Sequence, residues 1–411
     1  MKLFSGGSPV CLEASNVSKN HCPICQSSSL SEILKRSNIP VYQNVLINSF
    51  EAARQIPRGD LEILECMECG FVYNSMFDTN KVVYSSDYEN TQSYSTYFNS
   101  YLDDLVETLV NQKGVSNLNV VEVGCGKGGF LRKVVETGNN YGYGFDPSYI
   151  GPEVDYGGEL RFEKKLYNEE SVNIKADVVL CRHVIEHISE PVMLLKSIRK
   201  ALVHSPQARV FFETPCVDWI FENKVMFDFF YEHCSYFNEK SISKAFELAG
   251  FEVVSIDRIF NGQYMWLEAR PAEDNGALKK RSYVQYADSC SIGFSKNEFE
   301  WKRRAMEQVF MYSKGEKTAI WGAGAKGVTF LNLIDPELKY IDCVIDVNPN
   351  KVGNYIPGTG HEIIGVESLE NKEFSTIIIT NSNYLDEIKK IVLQKKLNIN
   401  LVDLETWSAE Q

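Results

Sequence analysis

The chain has 411 residues, enough for two or three domains with sizeable cores, and its 44% hydrophobic and 24% charged content is that of a folded protein. A net charge of -13 excludes a partner held mainly through nucleic-acid phosphates, because that affinity comes from clustered Lys and Arg releasing counterions; a basic pocket for one small anion stays open. Residues 1–9 lack an apolar core of signal-peptide length and no apolar run reaches membrane-spanning length, so a cytoplasmic protein with no membrane partner is expected; the eleven cysteines, scattered but for two close pairs, suit a reducing compartment and metal binding.

The two pairs are Cys22-Pro-Ile-Cys25 and Cys66-Met-Glu-Cys69, the second followed by Gly70. Each knuckle can aim two thiolates to one side of a tight turn, and two such turns facing each other complete a tetrahedral zinc site at Cys22, Cys25, Cys66 and Cys69. Four thiolates leave no open position, so the expected Zn2+ is structural and folds the region. A strand at Leu61-Glu-Ile-Leu-Glu65 is expected to enter the second knuckle. Next comes a tyrosine-rich segment, 84–101. Tyr94, Tyr97 and Tyr101 fall at i, i+3 and i+7, one face of a helix running on to Val110, and are expected to pack on the next domain. Tyr84 and Tyr88 precede that helix in polar sequence and are candidates for a lid whose hydroxyls reach a polar ligand.

Val120-Val-Glu-Val-Gly-Cys-Gly-Lys-Gly-Gly-Phe130 reads as strand, tight turn and helix, the chain's clearest ligand-binding pattern. Glycines there let the backbone approach a ligand, and the helix start offers free N–H groups. Gly124, Gly126 and Gly129 alone also fit the dinucleotide spacing G-x-G-x-x-G, so they do not separate a nicotinamide cofactor from other adenosine-containing ones. Glu122 sits two residues before the first glycine. Asp146, in Gly142-Tyr-Gly-Phe-Asp-Pro147, ends the second strand, where a carboxylate can accept from both ribose hydroxyls. With Glu122, Gly124, Gly126, Gly128 and Asp146 so placed, the region resembles the class I S-adenosylmethionine methyltransferases. The resemblance continues through Ala176-Asp-Val-Val-Leu-Cys-Arg-His-Val-Ile-Glu-His187, similar to their fourth strand and the helix start after it.

Strand signals at 118–124, 141–146, 176–182 and 208–213 alternate with helical periodicity, which argues a parallel sheet with ligands at the carboxyl ends of its strands. Gly124, Asp146, Arg182 and His183 fall at such ends. His183 and His187 flank Glu186, but without a third spaced ligand a metal there is set aside in favour of His183 near the cofactor. The catalytic candidate is Phe229-Phe-Tyr-Glu-His-Cys-Ser-Tyr-Phe237, ahead of a helix that Asn238 caps and Gly250 ends. His233 has an ordinary pKa near neutrality and can take a proton; Glu232 can orient it or tune its charge, and Tyr231 and Tyr236 can donate hydrogen bonds.

From 273 onward, after the polar break Pro271-Ala-Glu-Asp-Asn-Gly276, a charged helix is expected at about 295–313. Then Lys317-Thr-Ala-Ile-Trp-Gly-Ala-Gly-Ala-Lys-Gly-Val328 repeats strand, turn and helix, with Gly322, Gly324 and Gly327 in dinucleotide spacing and Asp346 ending the next strand. The fold expectation is α/β: a class I methyltransferase (Rossmann-like) core at 81–272, a small zinc-binding domain at 1–80 and a second Rossmann-like domain at 273–411.

The knuckles, the core, the Tyr-Glu-His-x-x-Tyr-Phe loop and the second glycine-rich domain, in that order, resemble the zinc-containing sugar C-methyltransferases over nearly the whole chain. That resemblance implies C-methylation next to the keto group of a nucleotide-activated deoxy sugar, a small-molecule partner, with S-adenosylmethionine as methyl donor. It assigns the base to His233 and the zinc ligands to the four knuckle cysteines; Glu232, Tyr231 and Tyr88 join His233 as catalytic candidates on the reading of the residues themselves. Asn261-Gly-Gln-Tyr-Met-Trp266 departs from the family's small-residue run. Two other readings stay open: an O- or N-methyltransferase on another small metabolite, and a nicotinamide-dependent oxidoreductase using the C-terminal glycines. The oligomeric state is not legible.

Overall fold

The computed structural model describes residues 20–82, 88–171, 173–273, 291 and 293–409, which form three β-sheets. Tyr84, residues 1–9 and residues 274–276 of the polar break lie outside them. The central sheet has eight strands in the order Phe251–Ile259, Tyr264–Pro271, Arg209–Pro215, Val178–Arg182, Asn119–Val123, Tyr141–Phe145, Leu160–Glu163 and Val154–Asp155. Five neighbouring strands, from Arg209–Pro215 to Leu160–Glu163, are parallel, while Tyr264–Pro271 runs against both of its neighbours. Val120, Val121, Val178, Val179, Val210 and Phe212 are fully buried, as expected of strands covered by helices on both faces.

Four predicted strands are present; the hairpin Phe251–Pro271 and the short strands after residue 150 were not expected. Two to four residues are too few to show a period, and the outer hairpin strand is buried only irregularly along its length. Its turn puts Phe260, Asn261 and Gly262 in the left-handed region, at φ 50°, 55° and 84°. The tyrosine stripe is divided: Ser95 caps the helix Thr96–Glu107, so Tyr94 precedes it and is exposed. Tyr97 and Tyr101 pack on Phe260.

The N-terminal sheet is antiparallel: Leu30–Pro40, Arg58–Cys66, Val72–Asn74 and, from far along the chain, Ser235–Tyr236. Leu30–Pro40 escapes sequence reading because two register shifts, at Glu32/Leu34 and Arg36/Ile39, break its alternation. The third sheet is wholly parallel, in the order Ile363–Gly365, Cys343–Asp346, Lys317–Trp321, Phe374–Ile379 and Asn400–Asp403. It follows the helix Phe294–Tyr312. Buried Arg36 links all three parts: its Nε donates to Glu298 Oε1 at 2.7 Å and its Nη1 to the Phe229 carbonyl at 2.6 Å. No helix among the described residues is long and apolar enough to cross a membrane.

Candidate active site

The turn after Asn119–Val123 is left-handed at Gly124, Gly126 and Gly128, with φ of 70°, 53° and 75°. A Cβ at Gly124 would lie 2.2 Å from Val184 Cγ2, so both the conformation and the close approach of the next strand's loop require glycine there. The turn leads into the helix Gly129–Gly138. Asp146 stands beside it, accepting the Gly126 N–H at 2.9 Å on one oxygen and the Ser148 N–H and hydroxyl on the other. Its carboxylate is thus fixed at the turn. Glu122 is buried one strand position inside, with Oε2 lacking a hydrogen-bond partner among the described residues, and burial pushes its carboxyl up to about 8. An orphaned acceptor, a glycine cradle and a strand-end carboxylate are the features an adenosyl cofactor needs.

At the end of Val178–Arg182 the chain turns sharply, with His183 at φ 52° and a single 3-10 turn at Ile185–His187, rather than starting a helix as expected; the helix begins at Pro191. His183 lies between two carboxylates, 2.9 Å from Glu213 Oε1 and 3.2 Å from Glu186 Oε1. Burial alone would lower its pKa, but Glu213 and Glu186 reverse this and hold it up at about 9, so it stays an imidazolium. Glu213 also takes Arg182 Nε and the Tyr101 hydroxyl, the latter at 2.7 Å. Burial opposes its charge, yet Arg182 and His183 keep it well below the usual carboxylate range. Arg182 lies over the Phe130 ring at 4.2 Å. The pair Arg182 and His183 therefore braces the floor of the turn; Glu213, which sequence reading passed over, and Tyr101, expected there only to pack, hold it. Glu213 is the last residue of its strand in the parallel ladder, opposite Arg182, a position that could have marked it.

The His233 loop crosses this floor. The Cys234 N–H donates to the Glu186 carbonyl at 3.0 Å and Ser235 Oγ to the Ile188 carbonyl at 2.6 Å. Its far side joins the N-terminal sheet, Ser235 opposite Tyr73 and Tyr236 opposite Val72. His233 packs on Phe230 at 4.2 Å and edge-on to His187 at 4.7 Å. Its pKa is not near neutrality as expected. Burial, then the neighbouring His187 and His183, push it well down, so the ring is neutral with a lone pair to offer. Glu232 does not turn its carboxyl to His233 either. That group is fully buried, takes the Tyr88 hydroxyl at 3.3 Å and has no partner for Oε1 among the described residues; burial raises it to about 8, so it is a neutral acid at pH 7. The Glu232 carbonyl instead holds His187 Nδ1, at 3.0 Å.

Tyr231 is placed away from these groups. Its ring lies in the N-terminal module beside Phe77 and over Gly59, its hydroxyl accepting the Asp78 N–H at 2.9 Å. Tyr236 likewise bonds the Phe230 backbone. Both are packing residues of the loop. The fold supplies the third group that sequence spacing lacked beside His187: ligating atoms of Glu186, His187 and His233 lie within 4.8 Å of one another. Glu186 is already engaged by His183 and Thr214, and His187 by the Glu232 carbonyl.

The four knuckle sulfurs also come together, with Cys22 and Cys69 3.6 Å apart and Cys25 and Cys66 3.5 Å apart. A tetrahedral zinc with Zn–S near 2.3 Å needs sulfur–sulfur edges of about 3.8 Å. The donor set fits.

In the C-terminal domain the second glycine turn closes on itself. Asp346 accepts the Ala323 N–H at 2.8 Å and the Asn348 N–H at 2.8 Å, and Lys351 Nζ donates to the Ala323 carbonyl at 3.0 Å. A Cβ at Gly327 would fall 2.0 Å from the Gly322 carbonyl oxygen, so helix-on-turn packing alone explains that glycine.

Comparison with family models matches residues 94–256 to a methyltransferase domain and residues 289–396 to a C-methyltransferase C-terminal domain. Fold and site together define a class I methyltransferase core. The protein is an S-adenosylmethionine-dependent methyltransferase carrying a C-methyltransferase C-terminal domain. No curated protein matches it in sequence. Among solved structures, 1,6-didemethyltoxoflavin-N1-methyltransferase of Burkholderia thailandensis is 14% identical over 44% of this chain and 83% of its own, at a TM-score of 0.34. Magnesium protoporphyrin IX methyltransferase of Synechocystis PCC 6803 is 20% identical over 43% and 84%, at 0.33.

Proposed function

We propose that the protein C-methylates a nucleotide-activated deoxy sugar at the carbon next to its keto group, with a structural Zn2+ at Cys22, Cys25, Cys66 and Cys69 and a division at about residues 80 and 272. The observation that carries the chemistry is the His233 loop, which holds a neutral imidazole and, one residue earlier, a neutral carboxyl bonded to the Tyr88 phenol. Glu122, the turn at Gly124, Gly126 and Gly128, and Asp146 bind the cofactor, with Arg182 and His183 bracing them. Adenosylmethionine, when bound, supplies the electrophilic methyl.

His233 takes the proton from the carbon next to the ketone. If that carbon acid lies ten pKa units above the imidazolium, the step is uphill by about 14 kcal/mol, and a depressed His233 widens the gap. Donors at the developing enolate oxygen must offset it. Glu232, kept protonated by burial, is such a donor, with Tyr88 as its hydrogen-bonded neighbour. His187, held by the Glu232 carbonyl, keeps the His233 ring in place edge-on.

His233→Asn should bind adenosylmethionine as the parent does but stop deuterium washing into the sugar ring from heavy water. Continued washing-in removes His233 as the base. An O- or N-methyltransferase would show no exchange of carbon-bound hydrogen in the parent enzyme with any nucleotide keto sugar.

A further inference from the structure

We propose that Glu89 is a positioning residue that ties the cofactor turn to the C-terminal domain, so that methyl-donor binding and the seating of Tyr88 are set together. The inference rests on the methyl-donor assignment of the turn at Gly124–Gly128 and not on the sugar acceptor. Glu89 is 4% exposed, and its carboxylate is a junction of three parts of the chain. Oε2 takes Lys127 Nζ at 2.7 Å, and Lys127 lies between the second and third glycines of the turn. Oε1 takes the Asn348 side-chain amide at 3.3 Å and Oε2 that of Asn350 at 3.2 Å, both from the loop after Cys343–Asp346. The Thr91 N–H adds a fourth bond at 3.0 Å.

The backbone here is equally constrained. The Glu89 N–H donates to the Asn44 carbonyl at 2.7 Å, and Tyr88 forms a β-bridge with Val45, so the side chains at 88 and 89 leave one short extended segment in opposite directions. One reaches Glu232 in the base loop, the other the cofactor turn. Burial would raise the Glu89 carboxyl, but Lys127 and the Thr91 bonds hold it down at about 2, so the junction is charged at any working pH.

This gives the second glycine-rich domain a role that needs no nucleotide of its own. Asp346, which in a dinucleotide fold would meet a ribose, instead orders the loop that presents Asn348 and Asn350. Those amides neutralise no charge; they fix the direction of a carboxylate whose counter-ion sits on the cofactor turn. A change in the turn is thereby felt in the C-terminal domain, and the reverse.

The test uses the full chain and adenosylhomocysteine as the probe. Calorimetry on Glu89→Gln, Lys127→Met, Asn350→Ala and the Glu89→Gln/Asn350→Ala pair should raise the Kd about 2- to 10-fold for each single change, with the pair less than additive. Asn350 is exposed and Lys127 half-exposed, so these two variants report even if Glu89→Gln folds poorly. In the parent, hydrogen exchange should slow on ligand addition both at 124–129 and at 346–352; in Asn350→Ala only the first should respond. An unchanged Kd in Asn350→Ala, or a C-terminal loop indifferent to ligand in the parent, overturns the brace even if Lys127→Met weakens binding. Failure to methylate a keto sugar would leave this inference intact and sink only the acceptor assignment.

Discussion

Glu232→Gln separates a carboxylic acid that donates from a carboxylate that tunes His233. With the acid near 8, about nine-tenths of Glu232 is protonated at pH 7 and about a tenth at pH 9, so kcat at saturating cofactor should fall roughly tenfold across that interval. Glutamine keeps a donor of similar length and cannot ionise. The variant should therefore retain kcat within several-fold at pH 7 and lose most of this alkaline decline. Two other groups titrate nearby, Glu122 at about 8 in the cofactor site and His183 at about 9 in the floor, which is why the comparison is between profiles of parent and variant with cofactor saturating. His233 and His187 are both depressed and stay neutral throughout this range. The sign for stability follows the same shifts. Glu122 and Glu232 have raised folded-state values, so their contribution is full below the ordinary carboxylate range and is lost as pH rises to about 8. A Glu232→Gln enzyme that is dead at pH 7 while binding adenosylmethionine normally would refute the neutral-donor role.

Asp146→Ala should abolish measurable adenosylmethionine binding in calorimetry, whereas Asp346→Ala should leave NAD binding absent in parent and variant alike; NAD binding lost with Asp346 would restore the oxidoreductase reading. Metal analysis should find one zinc per chain, and Cys69→Ser or chelation should release it. Because Ser235–Tyr236 completes the N-terminal sheet, deuterium exchange into the sugar should stop at the same zinc loss. A metal-free enzyme of full activity would contradict this. Tyr231→Phe removes a hydroxyl bonded to the Asp78 N–H and Met76 carbonyl, so it should cost about 1 kcal/mol of stability by denaturant titration with kcat unchanged; a large kcat loss at equal stability would return Tyr231 to the chemistry.

The chain's sequence by itself determined the parts whose physics is local. A strand running into glycines, an acid at each of two strand ends and a capped helix after Asn238 are set by neighbours a few residues apart, and the structure shows those elements. Two cysteine pairs likewise announce a four-sulfur cluster, because knuckle geometry is local. Tertiary structure alone decided where Tyr231 and Glu232 point, since both lie in a turn, where no local period sets the direction of a side chain and only the packing around it does. It alone decided the charge on His233, which depends on burial and on His187 in another segment. The clamp of Tyr101, His183 and Arg182 on Glu213, and that of Lys127, Asn348 and Asn350 on Glu89, join residues 30 to 261 positions apart, beyond any period a sequence can carry.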